Sequence, residues 1–257
     1  MAPVGPRAGS RGAAGRPRGG PVTAASGGRL ATFSIAARDP VTGMLGVAVA
    51  SKALAAGNIC PFVRPRVGAV ATQAWVNPFL APRILDLLEG GVAPEVAAAT
   101  ALAEDRFSAY RQLNVVDAAG RSFTYTGEHT DPWRGGRHGP GYAIAGNILV
   151  SEATVAAMED AFLTGRAANL GERLIAVLEA GQEAGGDARG RQSAAVKVMC
   201  QTVVPYLDLR VDDHPDPVAE LRRIYELAAA GEGGELEFYA RVSCDQHASE
   251  NPEDYPE

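Results

Sequence analysis

The stretch TFSIAARDPVTGMLGVAVASK, residues 32–52, constrains the fold more than any other part of this chain. β-rich TFSIAAR and LGVAVAS flank DPVTG, whose Asp-Pro and Thr-Gly pairs are turn chemistry, so the segment reads as a β-hairpin. Both arms are apolar nearly throughout and lack the polar-out alternation of a half-solvated strand, so both faces of the hairpin need cover. In an antiparallel pair the start of one arm lies beside the end of the other. The Thr32 hydroxyl is thereby brought to the same sheet rim as Ser51 and the Lys52 ammonium.

A chain of 257 residues with 46% hydrophobic content can bury a full core, and this length favours one large domain. With 30 glycines and few aromatics, the interior should be built of closely packed Ala, Val, Ile and Leu. A net charge of -6 argues against nucleic acid as a partner, because phosphate binding wants a basic field. No run of about 18 apolar residues is present, so no membrane span is expected. Cys60, Cys200 and Cys244 show no C-x-x-C or Cys/His spacing. They read as free thiols in a reducing, cytoplasmic compartment, and neither they nor the His, Asp and Glu residues suggest a metal or other cofactor. Lysine occurs only at Lys52 and Lys197, every other basic residue being Arg. Either Lys52 supplies a compact ammonium whose pKa can move, or the position tolerates both residues.

Residues 1–31 are rich in Gly, Ala, Pro and Arg without apolar periodicity and are expected to be a disordered leader. They carry the positive charge of a targeting segment but lack its apolar stretch. After the hairpin a Pro-broken connection leads to a third apolar strand, 67–74, then to helices near 80–89 and 94–104, the second opened by Pro94 and Glu95. Residues 112–127 form a second hairpin, and 128–142 read as a rim or lid loop. A buried strand at 142–150 precedes helices near 151–164, with Ser151 as N-cap, and 169–181. The polar loop 185–192 leads into two more strands and a helix from about 216 to 229. The acidic tail, 230–257, should pack poorly. Strands, two helices, strands, two helices, strands, helix: this order predicts an α+β fold, a four-layer αββα sandwich of two antiparallel sheets within a domain spanning 32–229.

The blocks TFSIAARDP, GVAVASK, ATQAWVNP, VVDAAG, GPGYAIAGN and RGRQSAA resemble the signature blocks of the DUF1028 family over about Thr32 to Leu227. That resemblance implies an N-terminal-nucleophile (Ntn) hydrolase-like fold. The order of elements is also similar to that of a proteasome β-subunit, with Asp187 before a Gly-rich turn into the last strands.

Ntn chemistry asks one residue to supply both nucleophile and base: the hydroxyl attacks an amide carbonyl and the free α-amine of the same residue takes the proton. Thr32 can do so only if the Ala31–Thr32 bond is cut, and no Met precedes it. On this reading the partner is a small-molecule amide substrate, and Lys52 lowers the pKa of the Thr32 amine from within roughly 4–6 Å. Asn77 and Asn147, with Gln73, are strand-end amides that can donate to an oxyanion or simply make turns. Asp187 is expected to orient the amine, and Arg191, Gln192 and Ser193 to bind a carboxylate, unless they form a solvated surface loop. Ser51 joins the substrate-binding set, and His138 in GRHGPG closes over substrate or is merely solvated. Arg38 and Asp39 should pair or cap the hairpin turn. Two alternatives stand beside the hydrolase. One is a ligand-binding or assembly scaffold with a silent Thr32, which as a sandwich with exposed sheet rims could homodimerise. The other is an unprocessed Ser51–Lys52 pair, disfavoured because adjacent strand residues face opposite ways.

Overall fold

The computed structural model describes residues 1, 29–30, 32–230 and 235–245. Thr32–Arg38 (β2) and Leu45–Ser51 (β3) form the central hairpin, closed by Asp39, whose Oδ1 accepts from the Val41 and Thr42 amides. β2 and β3 lie in the middle of a six-stranded antiparallel sheet. Ser193–Met199 (β10) and Pro205–Val211 (β11) continue it beyond β3, while Tyr142–Asn147 (β9) and Gly135–Gly139 (β8) continue it beyond β2. A second antiparallel sheet is ordered Arg29–Leu30 (β1), Gly68–Trp75 (β5), Arg111–Asp117 (β6) and Ser122–Thr126 (β7), with Pro61–Arg64 (β4) also paired to β5.

Helices cover both outer faces. Leu80–Glu89 (α1) and Pro94–Ala103 (α2) place Ile84, Leu85, Leu88 and Ala98 against Val70, Leu113 and Val115 of the second sheet. Ala153–Thr164 (α3), Leu170–Glu183 (α4) and Pro217–Ala229 (α5) pack Met158, Leu174, Leu178 and Leu221 on Phe33, Ile35, Ile144 and Val196 of the first. Between the sheets lies a layer of small residues, among them Ala36, Val47, Val49, Ala69, Ala71 and Ala195. The order helix, sheet, sheet, helix is the αββα sandwich expected from strands apolar on both faces.

Four expectations are corrected. The segment 128–142 is not all loop: its Gly135–Gly139 portion is the edge strand β8, paired to β9, and His138 is an exposed residue on it. The tail is not all loosely packed, since Glu235–Cys244 (α6) lies against β11 and buries Ser243, whose hydroxyl accepts from the Cys200 amide. Cys200 and Cys244 are not free thiols but a disulfide, leaving Cys60 as the free, buried cysteine among the described residues. Their separation of 44 residues hid the pair from any reading of local spacing. Ser151 precedes the α3 N-cap, which is Glu152. Most of the leader lies outside the described residues, but its Arg29–Leu30 portion is a strand, paired to Trp75 and Ala74 of β5. Among the described residues no helix is long and apolar enough to cross a membrane.

Candidate active site

Register builds the site. On the first sheet Thr32 stands opposite Ser51 on one side and Asn147 on the other, and Ser51 stands opposite Ser193. Directly paired residues share a face. Ser193, Ser51, Thr32 and Asn147 therefore form one polar row across four strands, and the alternation that puts Ala36 and Val49 between the sheets aims this row there too. Thr32 is fully buried, and its hydroxyl donates to Ser51 Oγ at 3.3 Å. Ser193 is committed to shaping the rim: its Oγ donates to the Ala53 carbonyl at 2.6 Å and accepts from the Ala56 amide at 3.1 Å.

The row continues inward as a hydrogen-bonded network linking the two sheets. Gln73 on β5 accepts from Ser34 Oγ at 2.6 Å and donates to Gln112 Oε1 and to the Ala145 carbonyl. Gln112 also accepts from Asn147 Nδ2 at 3.0 Å and donates to the Gly146 carbonyl at 2.8 Å. Asn114 donates to the Ser34 hydroxyl and carbonyl. All these side chains are buried. A buried amide left unbonded costs about 1–3 kcal/mol, so the mutual satisfaction is what makes the cluster tolerable. Gln112, Asn114 and Ser34 were not singled out from the sequence. Their signal was present all the same, since Thr32/Ser34 and Gln112/Asn114 are polar pairs two residues apart in apolar strands.

Backbone strain borders the cluster. Ala74, next to Gln73, has φ 67°, and Ile148, next to Asn147, has φ 51°. Left-handed backbone is rare for any non-glycine residue and an outlier for a β-branched one, at a cost of order 1–3 kcal/mol each.

The structure separates other residues from Thr32. Lys52, one position past Ser51, turns to the exposed side, where its Nζ donates to the Arg191 carbonyl at 3.2 Å. A Ser51–Lys52 pair is disfavoured here as in the sequence, because successive residues along a strand point to opposite faces. Asn77 is engaged outside the polar row. Its amide donates to Asp105 Oδ2 at 2.9 Å beyond the end of β5, where Arg111 also pairs with Asp105. Burial alone would raise the Asp105 carboxyl, but hydrogen bonds from Arg111, Asn77 and the Phe107 amide outweigh it and lower its pKa to about 2. Asp187 is buried and holds the rim from behind, accepting from the Lys52 amide at 2.8 Å and pairing with Arg189. Arg191 is exposed and pairs with Asp216, Gln192 donates to Asp213, and His138 packs its ring against Phe123. Of these three, Gln192 meets the polar row through its backbone, its amide donating to the Ser51 carbonyl at 3.1 Å.

Cys60 lies at the inner edge of the network, its thiol 4.0 Å from Gln73 Oε1, and burial pushes it up to about 12, with a backbone hydrogen bond at Thr72 partly opposing the shift. It is a thiol at neutral pH, not a thiolate nucleophile. Among the described residues no cluster of His, Cys, Asp and Glu is placed to hold a metal ion.

One further feature concerns the chain just before Thr32. Arg29–Leu30 is hydrogen-bonded into one sheet, and the strand that opens at Thr32 into the other.

Together these features define a class: a doubly covered antiparallel sandwich with a strand-opening threonine in a buried polar cluster of the interlayer. The chain belongs to the family of unknown function DUF1028, whose model matches residues 32–221. A solved structure of that family, protein SPO2555 from Silicibacter pomeroyi, is 32% identical, with 83% of this chain and 90% of that one aligned at a TM-score of 0.74. Anbu (ancestral beta-subunit) from Yersinia bercovieri aligns over 76% of this chain and 93% of its own at 12% identity, and its TM-score of 0.35 is too low to argue from. No curated protein matches the chain.

Proposed function

We propose that the protein is an Ntn-type amidohydrolase that cleaves a small amide or peptide-like bond with Thr32 after the Ala31–Thr32 bond has been cut. The observation that carries this reading is the position of Thr32. It is the first residue of a central strand and faces the interlayer in a row with Ser51 and Asn147. Cutting before it converts a peptide nitrogen, which cannot accept a proton, into an α-amine with a pKa near ~8. The same cut separates β1, paired to Trp75 and Ala74 of β5, from the strand that Thr32 opens.

The chemistry then needs few groups. The amine takes the Thr32 hydroxyl proton as the oxygen attacks the substrate carbonyl. The tetrahedral oxyanion collapses, and the amine returns the proton to the departing nitrogen. A water molecule, deprotonated by the same amine, then hydrolyses the ester left on Thr32. Asn147, the register partner of Thr32, is the side-chain amide suited to donate to the oxyanion, and its bond to Gln112 orients it. Lys52 has no part in this version.

Intact mass and N-terminal sequencing of purified protein, followed by labelling with a β-lactone electrophile, test the reading. The expected result is a chain beginning at Thr32, labelled there, with labelling abolished in Thr32→Ala. A chain that keeps the residues before Thr32, together with unchanged amide turnover in Thr32→Ala, would overturn it. The complete burial of Thr32 in the uncut chain supports a second reading, a non-catalytic scaffold, which predicts an uncut, unlabelled protein.

A further inference from the structure

Three hairpin turns converge at the opposite end of β2, away from Thr32. Residues 38–40 after β2, residues 119–120 between β6 and β7, and residues 140–141 between β8 and β9 surround a cavity of about 260 Å³. Six strand steps separate it from Thr32, roughly 20 Å at about 3.3 Å per residue. Its floor is the end of α3, Phe162 and Leu163, and its two polar side chains are Arg38 and Arg173, with no acidic residue in the lining.

Arg38 ends β2 and Arg173 lies in the first turns of α4. The sequence reading expected Arg38 to pair with Asp39 or cap the hairpin, yet the Asp39 carboxylate serves the Val41 and Thr42 amides, and Arg38 Nε is buried without a hydrogen-bond partner. A buried guanidinium nitrogen left unpaired costs more than a neutral donor does, which is a reason to look for an absent acceptor. Arg173 is held by the Phe162 carbonyl, which accepts from its Nε and Nη2, and by the Phe162 ring, 4.1 Å beneath the guanidinium carbon. That clamp fixes a positive group at the cavity wall.

We propose that this cavity is a binding site for a carboxylate carried on a short apolar body, the carboxylate taken by Arg38 and Arg173 and the body resting on Phe162 and Leu163. A guanidinium fork matches carboxylate geometry, and the largely apolar floor selects against a bare inorganic anion. The volume is below the roughly 300–1,000 Å³ of drug-sized ligand sites, so the occupant is a small organic acid or the C-terminal residue of a peptide. The site is separate from the Thr32 row and does not depend on that residue's chemistry.

Calorimetric titration of the full chain with phenylacetate, phenylacetamide, inorganic phosphate and a Gly-Gly-Phe tripeptide, free or amidated at its C-terminus, tests the proposal. Phenylacetate or the free tripeptide is expected to bind at least tenfold more tightly than its amide, and phosphate to bind no better than phenylacetamide. Arg38→Gln should cost at least tenfold, with partial recovery in Arg38→Lys; circular dichroism checks that each variant is folded. Phenylacetate without the tripeptide identifies a free acid as the ligand class, and the reverse identifies a peptide terminus. Equal affinity for acid and amide, preference for phosphate, affinity unchanged in folded Arg38→Gln, or no binding by any acid overturns it.

Discussion

The space between the two sheets has two halves built on the same strands. Along β2, β5 and β6 the inward positions run Thr32, Ser34, Ala36; Gln73, Ala71, Ala69; and Gln112, Asn114, Val116. One end of the layer is a hydrogen-bonded network, and the other is small aliphatic packing. The apolar half needs only volume, and small side chains let the sheets approach. The polar half does the same structural task at greater risk, because each member must be bonded to another. Residues that make a core harder to satisfy are expected where function requires them. The contrast is thus an argument for the polar half as the site, independent of any family likeness.

Four measurements break or sharpen that contrast. The largest expected effect is at Thr32. In processed protein Thr32→Ala should lose all covalent labelling and amide turnover, whereas Thr32→Ser, which keeps hydroxyl and amine, should retain part of both. In the apolar half, Leu45→Ala should lower the unfolding free energy by about 2–5 kcal/mol in denaturant titrations, as for a fully buried leucine. It should leave the specific labelling rate of the folded fraction unchanged.

Gln112→Leu should cost about 1–3 kcal/mol by orphaning the Asn147 amide and leaving the Gln73 amide the Ala145 carbonyl, and it should also slow labelling, because Asn147 loses its orienting acceptor. A loss of stability without any change in labelling would erase the distinction between the halves. The smallest effect is acid-dependent and sits at the rim beyond the polar half. Asp105 has a folded pKa lowered from 3.8 to about 2. Its stabilisation is therefore complete above the unfolded value and is lost as pH falls from about 4 through 2. It amounts to about 2 kcal/mol at most. Asp105→Asn should flatten the stability profile in that window and lower stability near neutrality by up to the same amount, the two proteins converging below about pH 2.

Much of this was legible in the sequence. Strands apolar on both faces required two covering layers, and the hairpin pairing placed Thr32 beside Ser51. Local patterns also found α1 and α2. What escaped were elements whose stability comes from elsewhere. β8 is GGRHG, with no β-forming residue, and exists because β9 offers it a paired edge. β4 lay inside a Pro-broken connection. At the site, the bond from Lys52 Nζ to the Arg191 carbonyl escaped the sequence because its partner lies 139 residues away. The bond from Asn77 to Asp105 was equally invisible, its acceptor being 28 residues away.

The link between Cys200 and Cys244 has a consequence for where the chain is whole. It ties the last described helix to the end of β10 by a covalent clasp, supplemented by the Cys200 amide on Ser243 Oγ and the Gln201 and Thr202 amides on the Ser243 carbonyl. Disulfides persist where oxidants outcompete glutathione. Moved into a thiol-rich medium, the molecule would keep its sandwich but hold its final helix by noncovalent contacts alone, and that helix would become the first part open to a protease.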